Sequence, residues 1–287
     1  MALEIARSVD ELRRLVESAR RNGLTIGLVP TMGALHEGHA SLIRAARGET
    51  GWVIVSIFVN PTQFGPNEDY QRYPRSWEQD LAVCQANGAD LVFAPPVKEV
   101  FPPGYSTFVE VTKLQDPLCG GSRPGHFRGV ATVVLKLFNM TTPDRAYFGQ
   151  KDAQQARIIR QLVRDLNLPA TIRVCPIARE PDGLALSSRN RYLSPEDRHS
   201  ATVLYRALET ARRMIESGER NAACIRERML AMIQSTPRAV AEYVDIVDYE
   251  TMQPVANVQS GILIALAVKF GATRLIDNFL WHGESTG

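Results

Sequence analysis

The 287-residue chain predicts a doubly wound α/β domain with a parallel sheet over residues 1–177, followed by a smaller α+β domain over residues 178–287. Three observations carry this expectation. Apolar, β-prone runs alternate with helical patterns through the first part, which is how parallel strands joined by crossover helices read. Those runs are near-continuously apolar, as strands covered on both faces are. After about residue 178 the order changes to helices followed by adjacent strands, the pattern of an α+β unit with a largely antiparallel sheet.

The elements follow in order. Residues 8–23 (SVDELRRLVESARRNG) open with a Ser8-x-x-Glu11 capping box, set Leu12, Leu15, Val16 and Ala19 on one face and stop at Gly23, which predicts a helix. The run 24–30 reads as a strand, 39–47 as a helix and 52–59 (WVIVSIFV) as a strand, so these three form a parallel crossover. Helices at 75–88, 129–140 and 153–166 then alternate with strands at 89–95, 145–149 and 171–177. Beyond them, Ser194-Pro195-Glu196-Asp197 supplies an N-cap, a proline at the first helical position and early acidic residues, and predicts one helix running to about Ser217. A helix at 221–234 precedes strands at 242–249, 262–271 and 273–280, and the terminal GESTG is expected to fray.

Composition excludes several classes. The chain is 45% hydrophobic and 22% charged with a net charge of +2, so no global field favours nucleic acid or an anionic membrane. Any phosphate binding must be local. Cys84, Cys119, Cys175 and Cys224 are far apart without a C-x-x-C pair, which opposes a zinc site or disulfide framework and favours reduced thiols. The N-terminal stretch lacks an apolar signal core, and the run 262–268 is too short to span a bilayer. A cytoplasmic protein with no nucleic-acid or membrane partner is expected.

Two of the five histidines, His36 and His39, fall after the first predicted strand, at the sheet edge where open α/β folds bind ligands. Their spacing differs from the H-E-x-x-H of helical zinc sites, and no cysteine is near, so no metal ligand is assigned. Gly33 and Gly38 let backbone approach a ligand, and His39 sits in the first turn of a helix whose free N–H groups favour an anion. An imidazole there can donate to oxygens that gain charge during attack on an α-phosphate. A pair of surface histidines in a turn is the plainer alternative.

Three further groups can share that edge. Lys151 and Asp152 join a strand to a helix; Asp152-x-x-Gln155 also matches a capping box, and Lys151 could be a solvated charge. Gln63 follows the second strand of the crossover within an Asn-Pro turn. Ser187, Ser188 and Arg189 offer hydroxyls, backbone N–H groups and a guanidinium fork suited to phosphate, although Ser-Ser-Arg turns are common.

His36-Glu37-Gly38-His39 resembles the H-x-G-H signature of the nucleotidyltransferase (HUP-type) α/β superfamily, which has a Rossmann-like fold and includes class I aminoacyl-tRNA synthetases. Five segments, 29–39, 58–75, 122–139, 147–155 and 183–190, resemble the pantothenate synthetase (pantoate–β-alanine ligase) family in order and spacing. The resemblance implies attack of the pantoate carboxylate on the ATP α-phosphate, giving pantoyl adenylate and pyrophosphate, then attack by β-alanine to give pantothenate and AMP. It implies Mg²⁺ with the ATP, a homodimer paired through the nucleotide-binding domain, and a smaller domain closing over the ATP site.

By the same resemblance, ATP contacts fall on Met32, Gly33, Ala34, Leu35, His36, Glu37, Gly38 and His39, on Gly149, Gln150, Lys151 and Asp152, and on Ala178, Leu186, Ser187, Ser188 and Arg189. Of these, His36, His39, Lys151, Ser187, Ser188 and Arg189 carry the chemistry, while Gln63 and Gln155 bind pantoate. Thr62 and Leu186 stand where the family usually has methionine. Tyr73, Arg123 and His126 border the substrate site without an assigned role, and Cys119 is expected to be structural. No residue pairs with a base as a covalent nucleophile would, which fits direct transfer. Two other readings are a sister nucleotidyltransferase acting on a phosphate-bearing substrate, which needs a second cationic pocket, and a non-catalytic nucleotide-binding module, which predicts loss of the histidines or the lysine.

Overall fold

The computed structural model describes residues 3–66 and 68–283; of the terminal GESTG expected to fray, residues 284–287 lie outside them. Chain order gives β1 (Glu4–Ala6), α1 (Val9–Arg21), β2 (Ile26–Thr31), α2 (Glu37–Glu49), β3 (Trp52–Ile57), α3 (Trp77–Ala86) and β4 (Leu91–Phe93). It continues with α4 (Val97–Val100), α5 (Cys119–Ser122), α6 (His126–Thr141), β5 (Arg145–Gly149), α7 (Ala153–Asp165) and β6 (Thr171–Cys175). The last part contains α8 (Pro195–Ala201), α9 (Val203–Glu216), α10 (Ala222–Gln234), β7 (Ala239–Asp248), β8 (Ile262–Phe270) and β9 (Thr273–Trp281).

Among the described residues a six-stranded sheet has the order β1-β4-β3-β2-β5-β6, with every pairing parallel. From β2 the chain winds outward through β3 and β4, then returns to build β5 and β6 on the other side. The order therefore reverses between β2 and β5, and the crevice beyond their carboxyl ends, Thr31 and Gly149, is where such a sheet takes ligands. The two faces obey the strand period of two. Ile26, Leu28 and Ile54 face α1 and α6, where they meet Leu12, Val16, Val130 and Leu137. Val29, Val53 and Val55 face α2 and α3, where they meet Leu42, Ile43 and Cys84. The apolar run beginning at Trp52 thus lies inside the sheet, between β4 and β2.

β7, β8 and β9 form an antiparallel sheet. On one face Ile262, Ile264, Leu266 and Val268 pack with Ala201, Leu204, Leu208, Ile225 and Met229 of α8 to α10. On the other, Leu263 and Ala265 meet Phe127, Ala131 and Ile158 of α6 and α7, which seats this sheet against the first one's helices. Among the described residues no helix is long and apolar enough to cross a membrane.

The structure departs from the sequence expectations at several points. Strand β1 was not anticipated; three residues are too few to show a period. The helix expected from 195 to 217 is broken at Thr202, whose hydroxyl donates to the His199 carbonyl at 2.8 Å and competes with the regular ladder. The helix expected from 129 begins at His126, because Gly125 takes the left-handed conformation (φ 80°) that turns the chain into it.

Candidate active site

Helix α2 begins with an unusual cap. His36 is the N-cap, and its Nδ1 accepts the Gly38 N–H at 3.1 Å; His39 reaches back so that its Nδ1 accepts the His36 N–H at 3.3 Å. This is a reciprocal capping box made of two imidazoles. Because both Nδ1 atoms accept, a neutral ring must carry its proton on Nε2, and both rings line the cleft with that donor uncommitted to the cap. The ring centroids are 4.2 Å apart. Burial, then the charges of Lys151 and Arg191, push His36 down to about 4. Burial, then His36 and Lys151, hold His39 well below the usual histidine value. At neutral pH the site presents two uncharged N–H donors.

The loop leading to α2 is held from behind. Asp80 of α3, buried, accepts the N–H groups of Ala34 (3.0 Å) and Leu35 (2.8 Å) and the Ser76 hydroxyl (3.0 Å). Ala34 adopts φ 51°, and both it and Leu35 are fully buried, so these two shape the loop and turn their N–H groups away from the cleft. Glu37 likewise points its carboxylate to Arg44. Gly33 and Gly38 are also required by the packing around them. A Cβ at Gly33 (φ +82°) would lie 3.0 Å from Asp80 and 3.1 Å from Ile57, and one at Gly38 would lie 2.9 Å from the His36 ring. The space is taken by protein. Gly149 has nothing within 4 Å of such a Cβ and leaves an opening beside Lys151.

Across the switch point, Gln150–Asp152 forms a 3-10 turn between β5 and α7, with Lys151 Nζ 3.5 Å from the Asp152 carboxylate. The Asp152–Gln155 capping box does not form. Asp152 sits at φ −98°, ψ 53°, outside the extended geometry that lets a cap side chain reach back, and Gln155 lines the cleft instead.

After β3, Asn60 caps the turn Pro61–Gln63 by accepting the Thr62 N–H at 3.2 Å, and its amide donates to Gln63 Oε1 at 3.0 Å and to the Gly129 carbonyl at 3.1 Å. Gly129 is required here, since a Cβ would come within 2.4 Å of the Thr62 carbonyl. Thr62 itself turns its hydroxyl to Asn60 at 2.8 Å. Gln63 Nε2 lies 3.2 Å from the Met32 sulfur. His126 donates from Nδ1 to the Gln63 carbonyl at 2.9 Å, while its Nε2 accepts Arg123 Nη1 at 3.0 Å. Burial, then Arg123, pushes His126 down to about 4. Arg123 is in turn gripped by Glu68 at 2.8 and 2.5 Å. Both residues therefore scaffold the Gln63 turn.

The third wall is a hairpin. Arg179 and Ala185 bridge, Leu186 donates to the Ala178 carbonyl at 2.9 Å, and Ala178 Cβ lies 3.8 Å from where a Cβ on Gly38 would be, so the hairpin rests on the start of α2. Ser187 then caps the turn Ser188–Tyr192 by accepting the Arg189 N–H at 3.3 Å, and Ser188 Oγ meets Tyr73 Oη at 3.3 Å. The expected phosphate fork of Arg189 is engaged: Nε and Nη2 donate to Asp69 at 3.1 and 2.9 Å, which leaves Nη1.

Met32, His36, His39, Gln63, Lys151, Asp152, Gln155, Ser187, Ser188 and Arg189 thus line one solvent-open cleft. Asn60, Glu68, Asp69, Tyr73 and Asp80 were not singled out for these roles. Only Asn60 had a local signal, an N-cap residue followed by proline. Each of the others acts through a partner 45 to 120 residues away.

The family model described as Pantoate-beta-alanine ligase matches residues 4–280. A pantothenate synthetase of Thermotoga neapolitana is 54% identical over 276 residues, covering 96% of this chain and 99% of that protein. One of Moorella thermoacetica is 56% identical over 276 residues, covering 96% and 98%. Among solved structures, pantothenate synthetase from Thermus thermophilus superimposes with a TM-score of 0.91 at 46% identity, covering 96% of this chain and 98% of that one. Pantoate-beta-alanine ligase from Francisella tularensis, complexed with beta-gamma ATP and beta-alanine, gives 0.79 at 39% identity, covering 97% and 98%.

Proposed function

The chain belongs to the pantoate-beta-alanine ligase family, ligases that form pantothenate, and from that premise we propose how its own residues carry the reaction. The observation that carries the reading is the convergence of two neutral Nε2–H donors, one lysine and two neutral glutamines on a single cleft at the switch point of the sheet. Gln63 and Gln155 hold pantoate through hydroxyl and carboxylate oxygens without an ion pair that would blunt the carboxylate as a nucleophile. His36 and His39 donate to the α-phosphate oxygens as charge builds there, and Lys151 offsets charge on the leaving pyrophosphate.

One carboxylate oxygen bonds to the α-phosphorus as its bond to the bridging oxygen breaks, and pyrophosphate departs. The β-alanine amine then bonds to the acyl carbon, loses a proton, and AMP departs. Ser187, Ser188 and Nη1 of Arg189 lie at the phosphates, Gly149 and Asp152 at the ribose, and Ala178 and Leu186 at the adenine. The opening beside Gly149 leaves the approach to Lys151 free for a nucleotide.

Mg²⁺ fits as an ion carried on the phosphates. Among the described residues no group of three His, Cys, Asp or Glu is placed to hold a metal, and Mg²⁺ bound through substrate phosphates needs few protein ligands; Asp152 is the carboxylate nearest Lys151. Bound there, it would neutralise phosphate charge. A phosphate-bearing substrate is disfavoured because Arg123, the cation beside Gln63, is already paired with Glu68.

We further infer that residues 1–177 bind ATP and pantoate while residues 178–287 close over the ATP. The enzyme is read as a cytoplasmic homodimer paired through the first unit. Four free thiols support a reducing compartment, and the outer edge of β6, unpaired among the described residues, supports pairing better than the interior run at β3. Product analysis tests the reaction: AMP and pyrophosphate should accompany pantothenate, and ADP with phosphate would point to an acyl-phosphate route instead.

A further inference from the structure

Strand β9 of the second sheet reaches into the ATP-facing turn of the first. Asn278, 4% exposed, donates from its amide nitrogen to two consecutive carbonyls, Gln150 and Lys151, each at 2.9 Å, and its Oδ1 accepts the Gln150 amide at 3.0 Å. Both donors and the acceptor of the side chain are used, a fit no other side chain of that size reproduces. The neighbouring Asp277 accepts the Asn278 N–H at 2.8 Å and grips Arg179 at 2.6 and 3.0 Å; Arg179 in turn donates to the Gly183 carbonyl at 2.9 Å, at the start of the segment that leads to Ser187. Two adjacent residues of β9 therefore hold both phosphate-facing loops, across 128 residues of sequence in the case of Gln150.

We propose that Asn278 is a positioning residue for Lys151, fixing the Gln150–Asp152 turn so that the seating of the second sheet sets where the lysine amine stands. Among the described residues Lys151 has only Asp152, 3.5 Å away, as an ion partner, and the backbone clamp is what orients it. A misplacement of about 1 Å in such a group can lower a rate about a hundredfold. The inference rests on the reading of Lys151 as the amine at the phosphates.

The test compares Asn278→Ala, Lys151→Ala and the double variant in pantoate-dependent pyrophosphate release, with melting temperatures measured alongside. Expected is a fall in kcat for Asn278→Ala of about ten- to a hundredfold, with the KM for pantoate little changed, and a double variant no slower than Lys151→Ala alone. A residue that merely stabilised the fold would lower the melting temperature and add its loss to that of Lys151→Ala. Additive losses, or near wild-type turnover in Asn278→Ala while Lys151→Ala is crippled, overturn the inference alone. Full activity in Lys151→Ala overturns the reading of the site and the inference with it. If Asn278→Ala does not fold, Asn278→Ser, which keeps one donor, carries the same comparison with a smaller loss.

Discussion

His39 accepts the backbone N–H of His36 on its Nδ1 at 3.3 Å, and that single contact decides which nitrogen of the ring is left to act. The proton lies on Nε2, so a side chain that restores a donor at the Nε2 position should restore part of the function. His39→Gln, whose amide nitrogen can occupy that place, is expected to retain more adenylate formation than His39→Asn, which mimics Nδ1. His39→Ala should lose on the order of a hundredfold or more, as removal of a transition-state donor does. Equal activity in the Gln and Asn variants would remove the assigned tautomer.

The depressed histidines also fix the response to acid. His36 and His126 are held at about 4 in the folded chain against 6.5 when free, chiefly by burial, and His39 is also held low. Between those values the unfolded chain binds protons that the folded chain refuses, so stability is complete above about pH 6.5 and drains as pH falls toward 4. The kcat/KM, which reports the free enzyme, should keep neutral donors through this window, with its acidic limb near 4 and not near 6.5. Melting curves and kcat/KM profiles between pH 7 and pH 4 check both; an acidic limb at the free histidine value contradicts the buried, neutral pair.

Gly129→Ala probes the proposed pantoate pocket from outside. The new methyl would collide with the Thr62 carbonyl at 2.4 Å and shift the turn that carries Gln63. Overpacking of this kind costs about 1–3 kcal/mol. The KM for pantoate should rise several-fold more than that for ATP, whose proposed contacts lie on other elements; equal increases would show that Gln63 is not the group displaced.

Ser8→Ala tests a feature read directly from the letters. Ser8 accepts the Glu11 N–H at 3.2 Å, and Glu11 returns the bond to the Ser8 N–H at 3.2 Å. Losing the cap should cost about 1 kcal/mol, seen as a lower urea midpoint with turnover unchanged. An unmoved midpoint would mean that the packing of Leu12 and Val16 alone fixes the helix.

That cap shows what was legible. Signals confined to a few neighbouring residues were read: the Ser8 box, the apolar strands, the proline-started α8 and the histidine pair at the carboxyl edge of β2. Local letters misled where geometry intervened, as at Asp152 and Gln155, whose spacing fits a cap but whose 3-10 entry forbids it. At Gly33 and Gly38 the missing side chains accommodate Asp80, Ile57 and the His36 ring, a packing role the letters do not display. Contacts made across the fold left no local trace. Asp69 on Arg189 and Asn278 on Lys151 join residues 120 and 127 positions apart, and such pairings follow from topology that a single sequence does not display.

Everything in the site turns on pantoate attacking ATP directly at its α-phosphorus within the cleft that holds His39 and Lys151. Positional isotope exchange measures that step without the second substrate, using ATP labelled with oxygen-18 at the α–β bridge. The label should scramble into the non-bridging positions of the β-phosphate when pantoate is present and β-alanine absent, and the exchange should collapse in His39→Ala. Scrambling that does not depend on pantoate, or that persists undiminished in His39→Ala, would contradict the account.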